Sequence, residues 1–376
     1  EPIAILKYDF TPESQKFSAS ATVLYRFGKN GYTALDWYDA PDPRPDYYRN
    51  LPSYFYMDNT DYNRRNFAKY AWAKEAWETD LPSTTHINWD RLYAVNFLNS
   101  TASGNRSKYV IEERRVDQND LNFAVNAKWN PVKFLTVNGG LSYKWNRTEY
   151  YKILDDLLGG DYYVNIDQFA ERDFAAYPTM IQNDLDYYLR NGAAQTLGYD
   201  YYAHVRRAEA WASGRFTFGG FEATVAGRLG YSKFWREGLL RKGLFPGLDD
   251  NGNPFTYNGE IITKYDQIDG RPITSKGESD KKDFLTGSGK INLGYFISGG
   301  HRIYADAAYI TEAPTFNQAF ISPRTRNTVM PDLKTIKTLT ADINYAYSNS
   351  GYDVRVTGFY TSIKDQTDVM SFYDDS

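Results

Sequence analysis

The chain has 376 residues, a formal net charge of −4, no cysteine and only three histidines; 17% of it is aromatic, including 34 tyrosines. Without cysteine, disulfides, thiol catalysis and thiolate-bound zinc or iron–sulfur centres are excluded, and the slightly acidic balance gives no electrostatic case for nucleic acid. His86, His204 and His301 are too scattered for a histidine metal site, no run of 18 apolar residues offers a transmembrane helix, and no cofactor is implied.

In chain order, the elements are strands with one greasy face. Pro2 to Leu6 enters a strand at once. Phe17, Ala19, Ala21, Val23, Tyr25 and Phe27 then alternate with Ser18, Ser20, Thr22, Leu24 and Arg26, so the two sets point to opposite faces. Leu121, Phe123, Val125, Ala127 and Trp129 repeat the pattern over Asn122, Asn126 and Lys128. Leu135 to Trp145, Phe221 to Tyr231, Ile291 to Ile297, Ile303 to Tyr309, Leu339 to Tyr347 and Val354 to Val356 follow. An apolar face ending in aromatics, above a polar face, is what the wall of an outer-membrane barrel requires. The tyrosine surplus fits interfacial girdles, where the ring sits in lipid and the hydroxyl reaches headgroup water. A tyrosine-rich soluble β-sandwich is the competing reading of composition alone.

The connections sort by length. Thr11 to Lys16, Asn130 to Lys133, Gly219-Gly220, Gly299-Gly300 and Asn349 to Gly351 are tight, whereas 30–106, 151–197, 238–281 and 315–334 are long loops. Short turns alternating with long loops match periplasmic turns and extracellular loops; a soluble sandwich would not sort them so cleanly. Tyr62 to Trp77 is expected to be helical, with Phe67, Tyr70, Ala71, Lys74 and Trp77 as its stripe, and Asn88 to Leu98 forms a weaker helix. The fold expected is therefore all-β, a transmembrane antiparallel β-barrel wall of about ten strands with helices in its loops.

Candidate sites are few. Pro41 to Arg49 is stiffened by its prolines. It either holds Tyr47, Tyr48 and Arg49 toward a vestibule or simply shapes a loop whose tyrosines pack on neighbours. The packing reading is preferred, with Tyr47, Tyr48, Arg49 and Tyr54 kept as candidate substrate contacts. Arg26, Lys128, Lys144, Arg228, Lys290 and Arg302, with Glu222, Asp306 and Asp342, fall on the polar strand face and are expected to line the lumen. Leu248 to Asn253, with Glu260, resembles part of a calcium loop, but its glycine is misplaced and a hairpin tip explains it better. Asp155, Asp156, Asp184 and Asp186 lack the spacing of a hydrolytic carboxylate pair.

Three stretches carry a family resemblance. Trp37 to Phe55 (WYDAPDPRPDYYRNLPSYF), Thr311 to Arg324 (TEAPTFNQAFISPR) and Phe359 to Gln366 (FYTSIKDQ) resemble segments of TonB-dependent receptors of the Bacteroidota. The resemblance implies a barrel of 22 strands around an N-terminal plug, substrate bound outside, and an inner-membrane TonB motor that acts through the plug. It also implies partners: outer-membrane lipid, in some relatives a surface lipoprotein lid, and a nutrient that is a glycan, peptide, iron chelate or cobalamin. No plug or TonB box is visible, so residues 1–376 are expected to be a portion of the barrel. The function expected is active import across the bacterial outer membrane without chemistry of its own. The alternatives are a self-contained barrel enzyme, a surface protease or lipase using His86, and a barrel that has become purely structural.

Overall fold

The computed structural model describes residues 1–56, 66–173, 188–189, 195–247, 251–253, 256–257, 260–261 and 272–368. Its frame is one antiparallel sheet of ten long strands, each paired with the next in sequence. They are β1 (Ile3–Phe10), β2 (Phe17–Trp37), β3 (Tyr109–Val132), β4 (Leu135–Asp156), β5 (Thr196–Phe218), β6 (Phe221–Gly238), β7 (Lys282–Ile297), β8 (His301–Glu312), β9 (Ile336–Ser348) and β10 (Asp353–Lys364). A further short strand, Gly277–Glu278, pairs with the end of β6. The edge strands β1 and β10 do not pair with each other among the described residues.

Register turns ten separate alternations into one surface. Phe17, Trp129, Val137, Gly214, Val225, Ile291, Ala307, Ala341 and Tyr360 lie side by side from β2 to β10. A second row runs Leu6, Val23, Phe123, Tyr143, Ala208, Tyr231 and Leu285. A one-residue slip anywhere would flip a strand's apolar set to the wrong face, so each match specifies its neighbour. These side chains face outward: Phe123 is 42% exposed, Leu141 58% and Leu285 75%. The apolar positions of β4 run from Leu135 to Trp145, matching the roughly 9–11 residues a tilted strand needs to cross a bilayer.

The hydrophobic core lies elsewhere, among the long connections. Val110, Leu154, Leu157, Tyr163 and Leu197 form one buried cluster, and Leu92, Tyr109 and Leu158 another. Phe234 packs with Ala319 and Phe320 beneath the β8–β9 connection. Tight turns close the opposite edge. Gly299 and Gly300 both take positive φ (79° and 85°), and a Cβ on Gly300 would meet the Ser348 carbonyl at 2.1 Å, so only glycine fits.

Four details differ from the sequence reading. β2 and β4 run on to Trp37 and Asp156, so 30–37 and 151–156 are strand and not loop. Beyond the hydrocarbon the outer face is free to be polar and alternation fades, but the backbone ladder continues. At the other edge, β3 runs through Asn130 to Val132 with a bulge after Trp129, leaving the turn at residues 133–134. The first long helix, Phe67–Glu78, is capped by the Asn66 side chain accepting from Lys69 N at 2.9 Å; residues 62–65 lie outside the described residues. It buries Ala73 and Ala76, while Phe67, Ala71 and Lys74 are exposed, because small side chains let the helix backbone approach its neighbours. The weaker helix, Trp89–Leu98, starts where expected, with Asn88 accepting from Arg91 N at 3.0 Å.

The two faces make opposite demands on a new charge. Leu141→Arg on the outer face is expected to cost about 2–4 kcal/mol, whereas Ser142→Arg, one residue on and facing in, should cost under about 1. Equilibrium unfolding of both variants in lipid vesicles checks this; equal losses would contradict the assignment of faces.

Candidate substrate-facing site at the loop end

The inward charges are arranged in pairs. Arg26 donates to Asp120 at 3.1 Å, and Lys144 approaches the same carboxylate at 3.5 Å. Arg228 reaches Glu209 at 3.4 Å, Lys290 reaches Asp306 at 3.5 Å, and Arg302 meets Glu222 at 3.3 Å, where Arg215 also binds. Lys128, set between Ser18 and Asn138, is exposed and makes no ion pair among the described residues. All six sequence-derived residues thus share the polar face, spread along it and not gathered at one point. The paired cations remain partly exposed, although Asp120 and Glu222 are buried, so each pair contributes modestly and together they make a charge-balanced surface.

The aromatic loop gathers the other candidates. Tyr47 and Tyr48 meet edge to face at 4.9 Å, and Tyr48 meets Tyr54 at 5.7 Å. Arg49 donates from Nε to the Tyr48 hydroxyl at 2.8 Å, with its guanidinium 5.4 Å above that ring. Arg44 grips Asp42 at 2.6 Å and lies 5.2 Å over Trp37, fixing the proline-rich segment to the end of β2. Tyr47, Tyr48, Arg49 and Tyr54 therefore form one cluster, packed on one another, with Tyr48 and Arg49 still exposed.

Sequence reasoning missed a second, buried cluster. Lys152 of β4 binds Asp36 of β2 at 2.8 Å and also Glu112 of β3; Arg114 donates to Glu112 at 2.5 Å. Asp36, Arg114 and Lys152 line a cavity of about 240 Å³ together with Asp167, Lys242 and Arg324. Lys242 donates to the Gly198 carbonyl at 2.8 Å and lies 3.6 Å from Asp167. Arg236 of β6 ties other loops down, donating to the Ser275 carbonyl at 2.7 Å, the Pro323 carbonyl at 2.6 Å and Asn327. The signal was available: Asp36, Glu112 and Lys152 continue the even-numbered inward parity of Arg26, Asp120 and Lys144 beyond the apolar band.

Burial sets the protonation behaviour here. Burial would lower the Lys152 pKa, but Asp36 and Glu112 outweigh it and hold the ammonium charged. Glu112, fully buried, is raised by burial against the pull of Lys152; Asp36 is lowered because Lys152 overcomes its burial. Lys242 is lowered by burial, with Asp167 opposing. Burial also pulls Arg236 down to about 10. Asp200 is pushed up to about 7, by burial first and Glu149 next, with Arg236 opposing, and its Oδ1 has no hydrogen-bond partner among the described residues.

Among the described residues, the remaining candidates do not assemble into a catalytic or metal set. His86 is exposed and contacts Thr85 Oγ1 at 3.0 Å; His204 bonds Glu237 at 2.8 Å and stacks on Trp235; His301 bonds the Tyr345 hydroxyl at 2.7 Å. Asp156 accepts from Leu158 N at 2.8 Å, shaping a turn. Asp184, Asp186, Asp249 and Asp250 lie outside the described residues, and Gly252, with φ of 81°, sits in a turn. No group of metal-ligating side chains occurs among the described residues.

A sheet with an apolar outside, charges paired inside, tight turns at one edge and packed loops at the other defines a membrane β-barrel wall. A family model, TonB dependent receptor-like, beta-barrel, matches residues 7–375, and the chain belongs to that family, whose place is the bacterial outer membrane. The match is to the family as a whole and does not separate a Bacteroidota branch. Among solved structures, the chain is similar to the copper transporter OprC (11% identity, TM-score 0.49, 96% of this chain and 39% of that one). It is also similar to the ferric-catecholate import receptor Fiu from E. coli K12 (10%, 0.46, 96% and 40%) and the FrpB iron transporter from Neisseria meningitidis (10%, 0.32, 96% and 44%). The chain thus spans about two fifths of the length of these receptors. No curated protein matches.

Two outcomes are expected from this geometry. Lys152→Met leaves Asp36 without its cation and buried Glu112 with Arg114 alone, and should destabilise the loop end by about 1–3 kcal/mol, while Asp36→Asn/Glu112→Gln/Lys152→Met should recover most of it. Hydrogen exchange of the Val110 and Leu154 amides reads both; a single variant as protected as the parent would refute the role. For Asp200, the folded state keeps its proton to about pH 7, against an ordinary value of 3.8. Its contribution is therefore fully present below the ordinary value, declines as pH rises, and is lost above about 7. Asp200→Asn should flatten that part of the pH–stability curve, measured by denaturant midpoints; an unchanged slope would count against it.

Proposed function

We propose that this chain supplies part of the barrel wall and outer vestibule of a receptor that binds a polar nutrient at its loop end and imports it with energy from an inner-membrane TonB motor. The family assignment supports the barrel and its location. The observation that carries the binding role is the cavity of about 240 Å³ at the loop end, lined by Asp36, Arg114, Lys152, Asp167, Lys242 and Arg324. Charges of both signs there suit a substrate rich in hydroxyl, carboxylate or amide groups, such as a glycan or peptide. Tyr47, Tyr48, Arg49 and Tyr54 supply a separate stacking cluster on the loop that follows β2, while Arg26, Lys128, Lys144, Arg228, Lys290 and Arg302 face the lumen, where a plug would be held. A surface lipoprotein lid over the loops is compatible with this arrangement. The protein performs no covalent chemistry in this scheme.

The test uses the complete receptor in cells grown on one candidate nutrient at a time. Deleting the motor should reduce uptake to the passive level; uptake unaffected by that deletion would overturn the import reading in favour of a purely structural barrel. With a cognate nutrient in hand, Tyr48→Ala should weaken equilibrium binding about tenfold, an effect of about 1.4 kcal/mol. His86→Ala should leave binding and uptake unchanged, and loss of a hydrolytic activity in that variant would favour the barrel-enzyme alternative.

A further inference from the structure

The lipid-facing side carries charges that the import scheme does not use. At the top of the apolar band, the outward positions of β4, β5 and β6 change from Tyr143, Ala208 and Tyr231 to Trp145, Arg206 and Lys233, which are direct cross-strand neighbours. One outward position higher stand Arg147, His204 and Trp235. Arg206 lies 4.9 Å over the Trp145 ring and 5.3 Å from Trp235, and among the described residues its Nη1 donates to the Asn146 and Val205 carbonyls, at 2.9 and 3.0 Å. Arg147 lies 4.7 Å over Tyr202, with its Nε buried and unbonded among the described residues.

None of Arg147, Arg206 and Lys233 forms an ion pair among the described residues, although Asp283 is the cross-strand neighbour of Lys233. Of the carboxylates on this face, Glu237 bonds His204 at 2.8 Å and Glu278 bonds Lys281 at 2.7 Å, whereas Glu149, across from Tyr202, and Asp283 form no ion pair among the described residues. On the inward face five of the six singled-out cations have carboxylate partners. Outside, three cations are gathered and left without one, two of them, Arg147 and Arg206, held by aromatic rings. Cations at a hydrocarbon boundary are costly unless the headgroup region supplies an anion, and basic clusters at that level bind anionic lipid heads.

We propose that Arg147, Arg206 and Lys233 form a docking site for a phosphate group on the headgroup of an outer-leaflet lipid, whose acyl chains lie along Tyr143, Leu229, Tyr231 and Leu285. The planar guanidinium groups offer forked donors to phosphate oxygens. Trp145, Trp235 and Tyr202 hold those guanidinium groups at headgroup depth. The bound lipid neutralises the cluster and fixes the depth and tilt of the wall beneath the loops.

The complete receptor, purified in detergent, is stripped of lipid and offered two preparations of one phosphorylated outer-membrane glycolipid, intact and enzymatically dephosphorylated. Retention of the intact form at least fivefold above the dephosphorylated form, read by native mass spectrometry, is expected. Equal retention overturns the proposal and needs no variant. Arg147→Gln/Arg206→Gln/Lys233→Gln should abolish the preference, with Lys128→Gln, an inward cation, leaving it intact; heat-dependent gel mobility confirms that the barrels are folded. Lys233→Gln alone should reduce the preference about twofold. Complete displacement of the lipid by millimolar inorganic phosphate would also overturn the proposal, since the site would then recognise the free ion and not the lipid.

Discussion

Hydrocarbon cannot accept a hydrogen bond, and the rest of this structure follows from that constraint. Every backbone N–H and C=O within the bilayer must find a partner inside the protein, and extended chain achieves this only across a continuous ladder. The ten-strand meander provides it, with nearly unbroken register from Ile3 to Lys364. Once the ladder is fixed, alternation decides the remainder: odd positions of β2, β3 and β4 meet lipid, and even ones meet the lumen.

Charge is handled differently in three environments. In the wet interior, partly exposed cations face carboxylates, giving modest stability and a balanced surface. Within the loop end, Lys152, Asp36, Glu112 and Arg114 are packed closely enough that removing one partner leaves another without compensation. At the lipid boundary, Arg147 and Arg206 are held by aromatic rings and not by carboxylates. The same residue types thus serve as lining, staple and lipid contact according to what surrounds them.

The loop end is the part of the chain that packs like a globular protein. Leu92, Tyr109 and Leu158 bury one patch, and the Asn96 side chain bonds the carbonyls of Tyr109, Leu157 and Leu158 at 2.7 to 3.0 Å. Arg236 performs the same task on the other side, joining β6 to the segments around Ser275 and Pro323. Such anchoring keeps the polar cavity in shape while the sheet below remains a single layer. Aromatic clusters such as Tyr47, Tyr48 and Tyr54 add rigid faces without needing that core.

The strands, their faces, the tight turns and the common sheet face of Arg26, Lys144, Arg228 and Arg302 were legible in the sequence, because alternation is local and lipid enforces it on every strand. The gathering of Tyr47, Tyr48, Arg49 and Tyr54 was half legible: prolines marked a stiff loop but not what it packed against. The extension of β2 to Trp37 was hidden, since outside the bilayer no solvent boundary imposes an apolar period. The Asp36–Lys152–Glu112 cluster and the lipid-facing Arg147 and Arg206 were settled only by tertiary structure. Residues 40 to 116 positions apart become neighbours only when strand register is known, and burial, which turns an ordinary surface charge into a staple, depends on loops whose packing no local pattern records.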